Sequence, residues 1–403
     1  MSATVRSILT PAAIIRLILG WGAFVALLAA GPLLAPPVPA PLLITALIVI
    51  VAVILICAFG VVHEAEHLAR RLGDPYGSLV LTLSIVLIEV VLITAVLLGP
   101  GQHATIARDS VMAVSMIILN AVIGLCLLVA GLRHGSLTHN RTGTSTYLSL
   151  IIVLAAIAFA LPALIGTNGS YQAWQEIPIV IVTIGIYAFF LFRQMGAQAD
   201  DFREVDPRLT RTPTEAAAPS PSNIDVTVAN ATSTEAADPD RKRQGIVEVI
   251  RTHRVEIALR LALLVVTVIP IVLLSHDMAT LLDDGLSRLG APVALSGIVI
   301  ALIVFLPETI TSLRAAWQGE IQRVSNLCHG AQVSTVGLTI PTVLVIGSLT
   351  DQQIVLAESP ANLLLFAVTL LLSVTTFASK KVTAVHGAAH LVVFVIFGIA
   401  VFS

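Results

Sequence analysis

A helix that crosses a bilayer needs about 20 predominantly apolar residues in a row, and this chain supplies eleven such stretches. They run roughly over 12–30, 41–62, 76–98, 106–130, 147–165, 176–193, 254–275, 291–314, 323–348, 360–378 and 384–402. Of 403 residues, 57% are hydrophobic and only 11% charged, well below the quarter charged of a soluble domain. The expected fold is therefore an all-α polytopic membrane protein of about eleven transmembrane helices, with the lipid bilayer as its surroundings. A net charge of −2 gives no reason to expect a nucleic-acid partner. Cys57, Cys126 and Cys328 sit far apart inside apolar runs, which fits neither a disulfide framework nor a zinc knuckle. Residues 1–31 read as an additional N-terminal transmembrane helix with no cleavage site, so that span would direct the protein to the membrane.

Between the sixth and seventh stretches, residues 196–250 are rich in Ala, Pro, Ser, Thr and charge. Such a segment buries too little apolar surface to fold, and a disordered cytoplasmic linker is expected. Basic residues set orientation. With the N-terminus inside, 20 of the 22 Lys and Arg residues fall on the cytoplasmic side, and only Arg108 and Arg288 fall outside. The expected location is the cytoplasmic membrane, with the N-terminus and linker inside and the C-terminus outside.

A motif recurs. Arg71-Leu72-Gly73-Asp74-Pro75 and Arg288-Leu289-Gly290-Ala291-Pro292 share Arg-Leu-Gly-x-Pro. Each then runs apolar to one glutamate, Glu89 after 18 residues and Glu308 after 20. Five spans separate the copies, and an odd offset gives them opposite orientations. Inverted repeats are a mark of secondary transporters, whose sites lie near the midplane where the repeats meet. The expected division is the additional helix (1–31), a first five-helix repeat (32–195), the linker (196–250) and a second, inverted five-helix repeat (251–403).

Before the first copy stands His63-Glu64-Ala65-Glu66-His67, an H-E-x-x-H string of the kind that binds zinc in metalloproteases. An intramembrane zinc protease is the reading of a different class. Three points oppose it: the second copy lacks the string, His63 and His67 lie one turn from Arg70 and Arg71, and apolar Ala65, Leu68, Ala69 and Leu72 recur at helical spacing. The segment reads instead as a short amphipathic helix at the membrane edge, as does its counterpart with Met278, Leu281, Leu282 and Leu289. Its polar residues would form a solvated face, or would draw cations and protons toward a pore mouth.

Among 24 acidic residues, Glu89 and Glu308 alone lie well inside apolar stretches. A charged side chain at a bilayer centre costs roughly 3 kcal/mol on insertion scales, and such a residue is a functional candidate by default. Burial and a like charge nearby both favour the protonated form, while a metal cation supplies the charge that displaces those protons. Two apposed carboxylates would thus hold protons or a cation, never both, which is the requirement for antiport. Pro307 frees the carbonyl of Ile303. Thr82, Ser84, Ser115, Asn120, Gln332 and Ser334 bring further oxygens to mid-depth, as hard cations require. His329, His386 and His390 could relay protons or could serve as polar contacts between helices. Nothing points to a resident cofactor or to an enzyme. The expected partners are small inorganic cations (calcium, with sodium or potassium as the alternative) and protons; oligomeric state is not legible.

Two blocks, residues 63–93 and 297–347, resemble the two alpha repeats of the calcium/cation antiporter superfamily, and most of all its calcium/proton exchanger branch. The resemblance implies exchange of a cytoplasmic cation for external protons. That branch commonly carries G-N-A-x-E in each repeat. Here Ser84–Glu89 reads SIVLIE and Val304–Glu308 reads VFLPE. The glutamates match and the Gly-Asn-Ala does not. Asn120 matches a polar position of the following helix, and Ser334 stands where the branch tends to have glutamine. The resemblance leaves calcium against sodium or potassium open.

Overall fold

The computed structural model describes residues 8–34, 38–72, 104–205, 239–290 and 294–402, with six helical positions between 83 and 97. Among the described residues, nine helices are long and apolar enough to cross a membrane, and a bent pair makes a tenth. In chain order they are α1 (Pro11–Ala30), α2 (Ala40–Leu72), α3 (Ala107–His134), α4 (Arg141–Ile165), α5 (Ala173–Met195), α6 (Pro239–Arg288), α7 (Ala294–Gln318), α8 (Ile321–Thr350), α9 (Pro360–Ala378) and α10 (Ala384–Val401). Ten of the eleven expected spans are present. The other, 76–98, lies almost wholly outside the described residues. The chain is an all-α, multi-pass membrane protein.

Local chemistry starts these helices where the sequence puts a cap. Thr10 accepts from the Ala13 N–H ahead of Pro11, Ser359 accepts from the Asn362 N–H ahead of Pro360, and Asn140 accepts from the Thr142 and Gly143 N–H groups. Each cap satisfies amides that have no partner within the helix, and proline at the first position gives up no bond. Membership of the centre follows burial: 89% of the apolar stretch of α3 is buried, against 11% of α1. Helix α2 packs along α6, and α10 along α3. The second contact depends on missing side chains. A Cβ on Gly387 would meet the Leu128 nitrogen at 2.4 Å, and one on Gly131 the Ala384 nitrogen at 2.2 Å. A two-residue ladder, β1 (Leu137–Thr138) with β2 (Lys381–Val382), ties the turns at one end of α3 and α9.

Two expectations are corrected. The two edge segments are not separate interfacial helices. His63–Leu72 continues α2 without a break, and His276–Arg288 continues α6. Ala65, Leu68, Met278 and Leu281 are buried and Leu282 is half-buried, so the amphipathic reading holds for these, while Leu289, just past the end of α6, is 81% exposed. The linker is also shorter than 196–250. Ala199–Phe202 forms a single helical turn, with Phe202 buried against Tyr147 and Phe190, and the Asn326 amide donates to its carbonyl at 2.6 Å. From Pro239 the chain is already helical. An aromatic side chain that finds a pocket anchors the start of a segment whose average composition is polar. Residues 206–238 lie outside the described residues.

Candidate functional site

Glu308 sits in α7 and is only 4% exposed. The helix bends by 51° between Gly297–Ile303 and Phe305–Gln318. The break falls where Pro307 cannot donate to the Ile303 carbonyl and crowds it. Thr311 donates to the Pro307 carbonyl at 3.0 Å and Thr309 to that of Phe305 at 2.9 Å, so both hydroxyls bond back to their own helix. Irregular backbone at membrane depth is tolerated where protein buries it or a cavity receives it.

The helix of Glu308 packs on α3 and α8, and these two share a peculiarity. Each widens into a π-helical turn at mid-length, Ile117–Val122 in α3 and Thr335–Thr339 in α8. Such turns collect at functional sites. A third, Ala156–Ala160, lies in α4. Two residues before the widened segment of α3 lies Ser115, and three residues before that of α8 lies Gln332. They meet: the Gln332 amide donates to Ser115 Oγ at 2.7 Å, and Ser115 in turn donates to the Val111 carbonyl at 2.6 Å. Both residues are fully buried, and Gln332 Oε1 has no hydrogen-bond partner among the described residues. The same is true of Thr339 Oγ1. Two bare oxygens in a dry interior each cost free energy unless something else binds them.

The remaining candidates divide. Ser334 accepts from the Tyr187 hydroxyl at 3.0 Å. Asn120 donates to Thr369 at 2.9 Å and faces His390 Nδ1 through Oδ1 at 3.3 Å, and His390 Nε2 lies 3.4 Å from Thr376. The amide of Asn120 is thus engaged by α9 and α10. His390 takes the role of contact between helices. His386 caps α10 through Thr383 at 3.0 Å. His329 Nδ1 bonds Ser325 at 3.0 Å, and Ser325 bonds Thr144 at 3.0 Å. Ile303 is half-buried at the bend. Glu89, Thr82 and Ser84 lie outside the described residues, so the pairing of Glu89 with Glu308 does too.

The H-E-x-x-H string takes a form the sequence reading missed. Glu64 is not on a solvated face. It is 6% exposed and forms an ion pair with Arg260 of α6, itself 7% exposed. Arg260 also reaches Glu256 at 3.4 Å. Glu66 is half-buried, while His63 is exposed and meets His67 edge-to-face at 4.6 Å. The glutamate that would serve a zinc protease is held by an arginine instead. The signal was present: Arg260 lies several residues inside an apolar stretch, and a guanidinium there must be paired. At the other end of the protein, Arg108 lies against Asp109 at 2.8 Å and Glu358 at 3.8 Å, and donates to the Ala357 carbonyl at 2.9 Å. Burial raises the Glu358 carboxyl above the usual range, against the pull of Asn362, Arg108 and the Ser359 N–H. Arg288 is likewise paired, with Asp284. Both arginines assigned to the outer side are therefore tied to carboxylates.

A polytopic helical protein with a proline-broken helix, a buried carboxylate and buried oxygens where two widened helices meet has the build of an ion transporter. Known proteins agree. Residues 42–196 and 259–403 match the model of the sodium/calcium exchanger protein family. The ionic transporter y4hA of Sinorhizobium fredii is 32% identical, over 84% of this chain and 83% of its own length. The sodium-potassium/proton antiporter ChaA of Escherichia coli is 27% identical, over 87% of each. Among solved structures, native YfkE has a TM-score of 0.62 at 16% identity, covering 96% of this chain and 99% of its own. The H+/Ca2+ exchanger CAX has 0.62 at 13%, covering 96% and 88%. The chain belongs to the sodium/calcium exchanger protein family.

Proposed function

We propose that the chain is a secondary active antiporter of the cytoplasmic membrane, exchanging a cytoplasmic cation for external protons at Glu89 and Glu308. The N-terminus and linker lie inside, the C-terminus lies outside, and residues 32–195 and 251–403 act as inverted repeats. The observation that carries the reading is the setting of Glu308: a carboxylate 4% exposed, on the turn after a proline break, in a helix packed on the pair that joins Ser115 to Gln332. A buried carboxylate favours its protonated form, and a cation replaces the proton by supplying the missing charge. Because one site serves both, the two species exclude each other, and access that alternates between the sides converts exclusion into exchange. Gln332 Oε1 and the Ile303 carbonyl are oxygens available to complete the shell.

Calcium is the first reading for the cation, from the resemblance to calcium/proton exchangers. Sodium or potassium is the second, favoured by the similarity to ChaA, a sodium-potassium/proton antiporter, and by SIVLIE in place of an asparagine-bearing motif. Removing a neutral oxygen ligand weakens a divalent site built on 6–8 oxygens. The test uses inside-out vesicles loaded with a pH-sensitive dye and given calcium, sodium and potassium in turn. Dequenching with calcium supports the first reading, and dequenching with sodium or potassium alone supports the second. Glu89→Gln and Glu308→Gln should each leave an inserted protein without exchange. Exchange retained in both variants would overturn the site.

A further inference from the structure

A cavity of about 1040 Å³ opens between α4, α5 and α9. It is separate from the site of Glu308 and lies at the end of the protein where the turns are basic. One end is polar. Arg141 opens α4 and is exposed; Arg193 lies in the last turn of α5, where its Nε donates to Gln198 at 3.2 Å, which fixes the direction of the guanidinium. The nearby Asp200 carboxylate pairs with Arg203 at 2.8 Å. Away from that end the walls turn apolar. Ile152, Phe189 and Val374 line them and are 42%, 64% and 37% exposed. The hydroxyls between, on Thr146 and Ser149, donate back to the carbonyls of Thr142 and Ser145 at 3.0 and 2.9 Å. That strip therefore shows methyl and methylene surface and makes few demands for hydrogen bonds.

Two guanidinium groups at one end and a hydrocarbon wall at the other fit a molecule with the same division. A soluble anion would use the first and waste the second. A zwitterionic lipid would use the second but offers no net charge to the first. The volume is at the upper limit of small-molecule pockets, about 300–1,000 Å³, and basic recesses between membrane helices are where anionic head groups settle. We propose that this cavity binds one anionic phospholipid, its phosphate between Arg141 and Arg193 and an acyl chain along Ile152, Phe189 and Val374. Placing that lipid in the cytoplasmic leaflet rests on the orientation proposed above; the binding itself does not depend on antiport.

The experiment is native mass spectrometry of the full chain in detergent, titrated separately with phosphatidylglycerol, phosphatidylcholine and inorganic phosphate. Phosphatidylglycerol should be retained preferentially by the wild type. An arginine near a charged lipid surface contributes about 1 kcal/mol. At tenfold per 1.4 kcal/mol, Arg141→Gln with Arg193→Gln should weaken binding about 30-fold. Arg323→Gln, which removes one positive charge outside the cavity, should alter it less than about threefold on that same scale. Val374→Trp, which fills the groove without touching charge, should also lose the lipid, and it keeps the test valid if the double variant folds poorly. Equal retention by wild type and both groove variants, phosphate binding as tightly as the lipid, or a second copy of the chain found by cross-linking in the groove would each overturn the proposal. Because the readout is lipid retention, its failure leaves the vesicle exchange result untouched.

Discussion

Removing one member of the Glu64–Arg260 pair should destabilise the protein strongly, and the two single changes should not cost the same. The side chains are 8% and 9% exposed, and they join α2 to α6, one helix from each half of the chain. Breaking a buried pair typically costs about 3–5 kcal/mol, because the survivor stays charged and desolvated. Arg260 has a second carboxylate, Glu256, at 3.4 Å. Glu64→Gln therefore leaves a cation that is still paired, and about 3 kcal/mol is expected. Arg260→Met strands the buried Glu64 and takes one partner from Glu256, which keeps His253 at 3.6 Å, and about 5 kcal/mol is expected. The double variant removes the charge that each single change leaves behind, so it should fall short of the sum by about 2–3 kcal/mol, within the range for contacting residues. SDS-induced unfolding in mixed micelles reads all three. A coupling below about 0.5 kcal/mol would refute the reasoning, since the two side chains would then be acting as separate solvated groups. The same variant separates two functions. Glu64→Gln should keep cation exchange, whereas a zinc protease would lose its general base.

Two further outcomes follow from the packing and the outer cluster. Gly387→Ala places a methyl 2.4 Å from the Leu128 nitrogen and 2.6 Å from the Gly124 carbonyl, both backbone atoms, so α10 must move off α3. A loss of about 3 kcal/mol is expected by the same unfolding assay; Gly398→Ala, with nothing within 4 Å, should be near neutral. For Glu358, burial raises the folded-state pKa above the unfolded value. The folded protein then binds this proton more tightly, so its contribution to stability is full below the ordinary carboxylate pKa and is lost as pH rises through the raised value. Relative to Glu358→Gln, the wild type should lose thermal stability from acid toward neutral pH; a pH-independent difference would contradict the assignment.

Much of this was legible in the chain because the membrane imposes a local rule. A stretch of about 20 apolar residues must be a spanning helix whatever surrounds it, and ten of the expected spans stand where the sequence placed them. The break in α7 was equally local, since Pro307 removes a bond to Ile303 in any context. Linker ends were not legible. Phe202 is one aromatic residue in a polar stretch, and only the pocket formed by Tyr147 and Phe190 gives it a place. Site roles were not legible either. Ser115, Asn120 and Gln332 read alike as buried oxygens, but Gln332 turns to Ser115 while Asn120 turns to Thr369 and His390. The same holds for Glu64, which shares a motif with zinc enzymes and spends its carboxylate on Arg260, 196 residues away. Sequence periodicity and hydropathy fix which segments become helices and which face is apolar. Which polar group meets which depends on how helices far apart in the chain come together, and only the packed bundle decides that.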